Sequence, residues 1–266
     1  YREMLFWNAQ WRLKVDITNV TGAYCGVNIA GPKSREVLEK LTDEDLSAGA
    51  FPYMGVRMAT VAGIPCRLLR VGFVGELGFE IHCPAHSGEA LWDAIMAAGK
   101  DHGIRPFGVE CQRLLRLEKG HIIVSQDTDG LTNPLEADME WALAKKRPFF
   151  IGKRSIEIQR DHLHRKLVGF EIAGENPAMP KECHLVIRDG EIVGRVTSCS
   201  YSPTLKKAIG LAYVAPDQAE PGSSFEVRVD SGTMAGKRVK IDTSKTVTCK
   251  VVKLPFYDPE GARQEL

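Results

Sequence analysis

Apolar positions fall into two textures along this chain. Up to about residue 160, alternating runs are interleaved with runs that repeat every three or four residues, so strands and helices are mixed. LKVDIT (13–18) and AYCGVNIA (23–30) alternate as strands. Gly31-Pro32 then leads into KSREVLEKL, where proline at the first helical position and Val37, Leu38 and Leu41 on one side predict a short helix. VRMATV (56–61) and IPCRLLRV (64–71) flank Ala62-Gly63, a hairpin turn, and FEIHC (79–83) is a further strand. Ser87 is placed to cap a helix carrying Leu91, Ile95 and Ala98, and Gly99 to end it. A second helix over 109–119 is marked by Cys111, Leu114, Leu115 and Glu118 and stopped by Gly120. Strands and helices without strict alternation give an α+β class.

Beyond Arg165 the runs are short, β-branched and separated by Gly, Pro, Asp and Ser: LVGFEIA, HLVIRDGEIVGRVTS, AIGLAYV, SFEVRV and TVTCKVV. Asp189-Gly190 is a hairpin signal, and some hundred such residues predict a small antiparallel β-barrel or sandwich. The expected organisation is an α+β domain over 1–160 and a β-barrel domain over 161–266, divided in the polar stretch RDHLHRK. At the start, YREMLFWNAQWR places Met4, Leu5 and Trp11 on a stripe. It reads as the end of a helix already under way, and so as a chain cut from something longer.

Charge and cysteine usage narrow the function classes. Thirty-five basic against 34 acidic side chains leave a formal charge of +1, which gives no reason to expect a nucleic-acid partner. No apolar run is long enough to cross a bilayer. Seven cysteines with no C-x-x-C pair argue for a reducing compartment, hence a cytoplasmic location. His162 and His164 lie in a charged stretch, without third and fourth ligands at zinc spacing.

The candidate chemistry begins at residues 72–80, GFVGELGFE. Its three glycines let backbone approach a ligand, but no helix follows, so a dinucleotide fingerprint fails. Glu80, inside an apolar strand, either points outward by alternation or is held inside for a purpose. This segment resembles the G-Y-T-G-E-x-G-x-E-I stretch of the aminomethyltransferase (glycine cleavage T-protein) family. LLRLEKG (114–120), QDTD (126–129) and NPLEADMEWALAKKRPFFIGKRSI (133–156) resemble its L-R-L-E-x-G … D … T-P-x-E-A-x-L-x-W … K … F-I-G-K, and SPTLKKAIGLAYV (202–214) its barrel signature. Together the matches run from about residue 23 to 252.

The resemblance implies an aminomethyltransferase-like folate-binding domain followed by an antiparallel β-barrel, with tetrahydrofolate as cofactor. Glu80 takes the place of the glutamate that accepts the paired N–H donors of the pterin edge in a fork. Phe73 stands where tyrosine is common, keeping a ring but no hydroxyl. Trp141 matches the tryptophan that packs near folate; a plain core aromatic is its other reading, and a wall residue can be both. The family's folate-contacting arginine falls on Gln112, with Arg113 and Arg116 on the same helix as substitutes. Lys206 and Lys207 approach an anionic glutamyl tail or simply end a solvated strand. The family's catalytic aspartate belongs to a D-D-x-x-V-like segment with no match here, and Asp127 and Asp129 match a turn rather than the base. No catalytic residue is therefore assigned, and the chain alone is expected to bind folate weakly and transfer nothing.

Within the family, EKGHIIVSQDTDG and GKRSI are closer to the sarcosine oxidase α branch. That implies a one-carbon-transfer module accepting the methyl-derived carbon of an oxidised N-methyl amine to form methylenetetrahydrofolate. An upstream flavoprotein part and other sarcosine oxidase subunits would be partners, with FAD, FMN and NAD outside these residues. The alternatives are a glycine cleavage T-protein and a noncatalytic folate-binding scaffold. For the iron–sulfur maintenance branch, the K-G-C-Y-x-G-Q-like motif is represented only by Lys119-Gly120-His121-Ile122-Ile123, without cysteine.

Overall fold

A computed structural model describes residues 1–144, 146–174, 177–229 and 245–266, together with the backbone of 233–235 and 238–240. The chain divides into two units: Tyr1–Gly72, Glu76–Pro106 and Ala262–Leu266 form one, and Phe73–Gly75 with Phe107–Gly261 the other.

In the first unit, helix α1 (Arg2–Trp11) precedes strand β1 (Tyr24–Ala30), helix α2 (Ser34–Leu38), strands β2 (Val56–Val61), β3 (Ile64–Leu69) and β4 (Gly78–Pro84), and helix α3 (Gly88–Gly99). The strands form an antiparallel sheet in the order β1-β4-β3-β2. Ala62 and Gly63, at φ 52° and 76°, make the predicted hairpin turn, whose two left-handed residues match the twist of the strands. One sheet face carries Leu68, Phe79, Ile81 and Cys83, which share a core with Val37 and Leu38 of α2 and Leu91 and Ile95 of α3. Each such side chain taken from water contributes about 1.5–3 kcal/mol.

Three sequence expectations change in this unit. Residues 13–18 are not a strand: Leu13 and Val15 are more than half exposed, and the sheet pairs β1 only with β4. Alternation without a partner strand leaves ladder groups unpaired, so it does not make a strand. Helix α1 buries none of its residues. Ser87 makes no side-chain cap, because it closes a short 3₁₀ turn before α3. The left-handed stop after α3 falls on Gly103, φ 72°, since the chain first adds a 3₁₀ turn over Lys100–His102. Gly99 instead lies against Ile104, where a Cβ would come within 2.7 Å.

The second unit opens with helix α4 (Val109–Glu118) and helix α5 (Lys153–Gln159). Strands β5 (Lys166–Ile172), β6 (Leu185–Arg188), β7 (Glu191–Ser202), β8 (Lys207–Val214) and β9 (Ser224–Arg228) follow. After the short hairpin of β10 (Thr233–Ala235) and β11 (Arg238–Lys240) comes β12 (Thr246–Val252). Six of these strands close into an antiparallel barrel, β12-β5-β8-β7-β6-β9, which removes every free edge. The fold class is thus α+β followed by an antiparallel barrel, as the sequence predicts. Asp189 and Gly190, φ 53° and 84°, turn β6 into β7. Phe170, Val186, Val196, Phe225 and Val251 fill the barrel interior. Leu117 of α4 packs against Leu167, Ile209, Leu211 and Tyr213. Gly210 is required on β8: a Cβ there would stand 2.3 Å from the Phe170 ring. Among the described residues no helix is long and apolar enough to cross a membrane.

Candidate functional site

Period-two alternation along β4 buries Phe79, Ile81 and Cys83 and leaves Glu80 and His82 half-buried on the opposite face. The outward reading of Glu80 is the one the strand adopts. Its neighbours across the sheet are Asn28 on β1 and Leu69 on β3. The ring nitrogen Nε2 of His82 lies 3.2 Å from Glu80 Oε2.

In the second unit, Phe73 stacks on His121, with ring centroids 5.8 Å apart and planes at 21°. His121 Nδ1 sits 2.8 Å from the Phe73 carbonyl, to which it donates. Burial holds the His121 pKa below its ordinary value, and nearby Lys119 and Arg116 act in the same sense against the bond to Phe73. Gly75, φ 79°, completes this turn over the stem of Lys119, where a Cβ would come within 3.1 Å.

Helix α4 carries the three polar candidates, and the structure gives them different roles. Gln112 is half-buried. Arg113 donates to Gln126 Oε1 at 2.9 Å and to Glu182 Oε1 at 2.5 Å. Arg116, expected as a substitute contact for a folate tail, is interior instead, at 1% exposure. Its guanidinium donates to Asp127 Oδ2 (2.5 Å), Ser198 Oγ (2.7 Å), and the carbonyls of His121 (2.9 Å) and Arg113 (3.1 Å). Four of its five N–H donors are taken inside the unit, and at this burial the guanidinium does not reach solvent.

Asp127, fully buried, closes this network. It accepts from Thr197 Oγ1 and Ser198 Oγ at 2.6 Å each and from the Ile123 N–H at 2.8 Å, and its own carbonyl takes the Tyr213 hydroxyl. Asp129 is an ion-pair anchor: Arg165 grips it at 3.1 and 3.2 Å and Arg195 approaches to 3.3 Å. Neither carboxylate is a free base.

Trp141 is 76% exposed, so it is not a core aromatic within its unit. Lys207 pairs with Glu171 at 3.0 Å, the arrangement of a solvated strand end, and Lys206 is exposed. Glu80 thus belongs to the first unit, whereas Phe73, Gln112, Arg113, Arg116 and Trp141 belong to the second. Among the described residues no group of three or more His, Cys, Asp or Glu could hold a metal ion.

Two domain descriptions match this chain: the GCVT N-terminal domain over residues 1–147, and the glycine cleavage T-protein C-terminal barrel domain over 165–258. The chain belongs to the glycine cleavage T-protein family. An aminomethyltransferase of Halothermothrix orenii is 34% identical over 244 residues, covering 91% of this chain and 64% of the relative. The sarcosine oxidase subunit alpha of Corynebacterium sp. strain U-96 is 34% identical over 282 residues, covering 99% of this chain and 28% of that protein. The chain therefore spans less than two thirds of the length of either relative. In fold, the glycine cleavage system aminomethyltransferase T of Bartonella henselae superposes with a TM-score of 0.73 at 21% identity, over 89% of this chain and 60% of that one. Both T-protein and sarcosine oxidase α relatives thus lie within the family to which this chain belongs.

Sequence reasoning singled out neither His82 nor His121, nor the Thr197-Ser198 pair. His82 was within reach, since it follows Glu80 by two on the same strand face. His121 and the hydroxyl pair were not, because their partners lie 48 and about 70 residues away along the chain.

Proposed function

We propose that this chain binds tetrahydrofolate and is the folate-binding part of an aminomethyltransferase that forms methylenetetrahydrofolate from an aminomethyl donor. The observation carrying this reading is the double domain match together with 34% identity to an aminomethyltransferase over 91% of the chain. The residues fit the cofactor at its pterin end. A half-exposed carboxylate on a rigid strand, Glu80, accepts paired N–H donors in a fork. In the second unit, taken by itself, Phe73 stacks on His121 and Trp141 is an exposed aromatic surface. Helix α4 fits the anionic tail less well: Gln112 is neutral, Arg113 already shares its charge with Glu182, and Arg116 is enclosed.

When bound, the reduced folate supplies the nucleophilic nitrogen that takes up the one-carbon unit. The chain's own residues hold and orient the ring system. A second reading, a sarcosine oxidase α-type module working beside a flavoprotein part, is favoured by the relative that aligns over 99% of this chain. It is favoured also by Gln112 standing where T-proteins resemble one another in an arginine.

Calorimetric titration with tetrahydrofolate, wild type beside Glu80→Gln, tests the common core of both readings. Loss of one charged acceptor is expected to weaken binding by roughly 1.5–3 kcal/mol. Wild-type binding that Glu80→Gln leaves unchanged would remove the pterin from β4, and absence of binding would remove the folate reading.

A further inference from the structure

Glu80 shares its face of β4 with a second polar residue that the folate reading leaves unused. His82 turns its ring back along the strand to bring Nε2 within 3.2 Å of Glu80 Oε2, and each side chain is 37% exposed. A half-exposed pair of this kind contributes little to stability. What it does control is orientation, because a glutamate side chain otherwise samples several rotamers.

The surroundings of His82 favour this placement. Directly opposite on β1 lies Gly26, where a Cβ would stand 3.4 Å from Cε1 and 3.5 Å from Nδ1 of the ring. The imidazole therefore lies over bare backbone. Opposite on β3 is Arg67, whose guanidinium is 6.0 Å from the ring centre of Tyr24 on β1. Glu80 is the carboxylate that His82 meets on this face.

We propose that His82 is a positioning residue: it fixes the plane of the Glu80 carboxylate for the paired N–H donors of a pterin edge. This rests on the folate reading and deepens it. An ionised carboxylate offers about four acceptor positions. The imidazole Nε2–H takes one of them on Oε2, and a fork of two donors takes two more, so three donors are satisfied together. A carboxylate held before the ligand arrives loses less freedom on binding.

The test is tetrahydrofolate titration of the wild type, His82→Phe, His82→Gln and Gly26→Val, with His82→Phe repeated in a Glu80→Ala background and thermal melts as folding controls. His82→Phe is expected to weaken binding by up to about tenfold, because the Glu80 side chain must then be ordered when the ligand arrives. His82→Gln, whose amide N–H can reach Oε2, should recover most of it. Gly26→Val, which displaces the ring while keeping it, should mimic His82→Phe. In the Glu80→Ala background His82→Phe should change nothing further. Equal losses with and without Glu80 would assign His82 to sheet packing and overturn the proposal. So would wild-type binding that His82→Phe leaves intact. A wild type that does not bind at all removes the folate reading, and this inference with it.

Discussion

At the scale of single residues, burial decides what a charge can do. Arg116 and Asp127 have almost no exposure, and each is surrounded by groups that answer its hydrogen bonds. Removing one partner leaves the other charge enclosed and uncompensated. Arg116→Met is expected to cost about 3–5 kcal/mol, read from denaturant unfolding; a loss below about 1 kcal/mol would mean that water reaches Asp127. Sequence alone placed Arg116 among ligand contacts because helical spacing does not reveal that its face is covered by β7 residues. His121 makes the residue-scale pH argument. Burial lowers its pKa below 6.5 in the folded chain, so the fold prefers the neutral ring. The stabilisation is complete above the unfolded value and is lost as pH falls through the folded one. Urea midpoints of the wild type should therefore fall from about pH 7 to about pH 5 more steeply than those of His121→Gln. Parallel slopes for the two proteins would show that His121 titrates as it does in the unfolded chain.

Elements were legible where their own chemistry specifies them and illegible where partners do. The hairpin turns at Ala62-Gly63 and Asp189-Gly190 are legible because glycine and aspartate accept left-handed backbone cheaply at Gly63, Asp189 and Gly190, while Ala62 takes it at a cost. Residues 13–18 alternate just as well as β1 does, yet without a neighbouring strand they stay outside the sheet. Glu80 was legible as a candidate, since alternation alone leaves only two faces to choose between. The bulge in β7 was not. A register shift between Val196 and Ser198 against β8 inserts an extra residue and turns the Thr197 and Ser198 hydroxyls together onto Asp127. The bulge thus brings two hydroxyl donors together on the buried Asp127 carboxylate. Thr197→Val, nearly isosteric, should cost about 1–3 kcal/mol by unpairing one acceptor. A change within about 0.5 kcal/mol in chemical denaturation would show that the bulge serves the backbone alone.

At the scale of the whole molecule, the two readings of function share a cofactor and differ in the donor. Glu80 lies in one unit, and Phe73 and Trp141 in the other. The difference follows from the fate of nitrogen. An aminomethyl donor on a lipoyl-type carrier gives up its carbon to tetrahydrofolate and its nitrogen as ammonia, one for one. A sarcosine-derived iminium gives up the same carbon and leaves glycine, releasing no ammonia. The chain's own departures bear on this choice: neutral Gln112 separates it from the T-protein pattern, while the aminomethyltransferase identity over 91% of its length points the other way. We propose that an aminomethyltransferase containing this folate-binding part, supplied with tetrahydrofolate and each donor in turn, forms methylenetetrahydrofolate with equimolar ammonia from the carrier-bound donor, while these residues alone bind folate and transfer nothing. Carbon transfer from the oxidised N-methyl amine without ammonia would exchange the first reading for the second. Binding without transfer from either donor would leave the folate cradle standing and refute the transfer chemistry assigned to it.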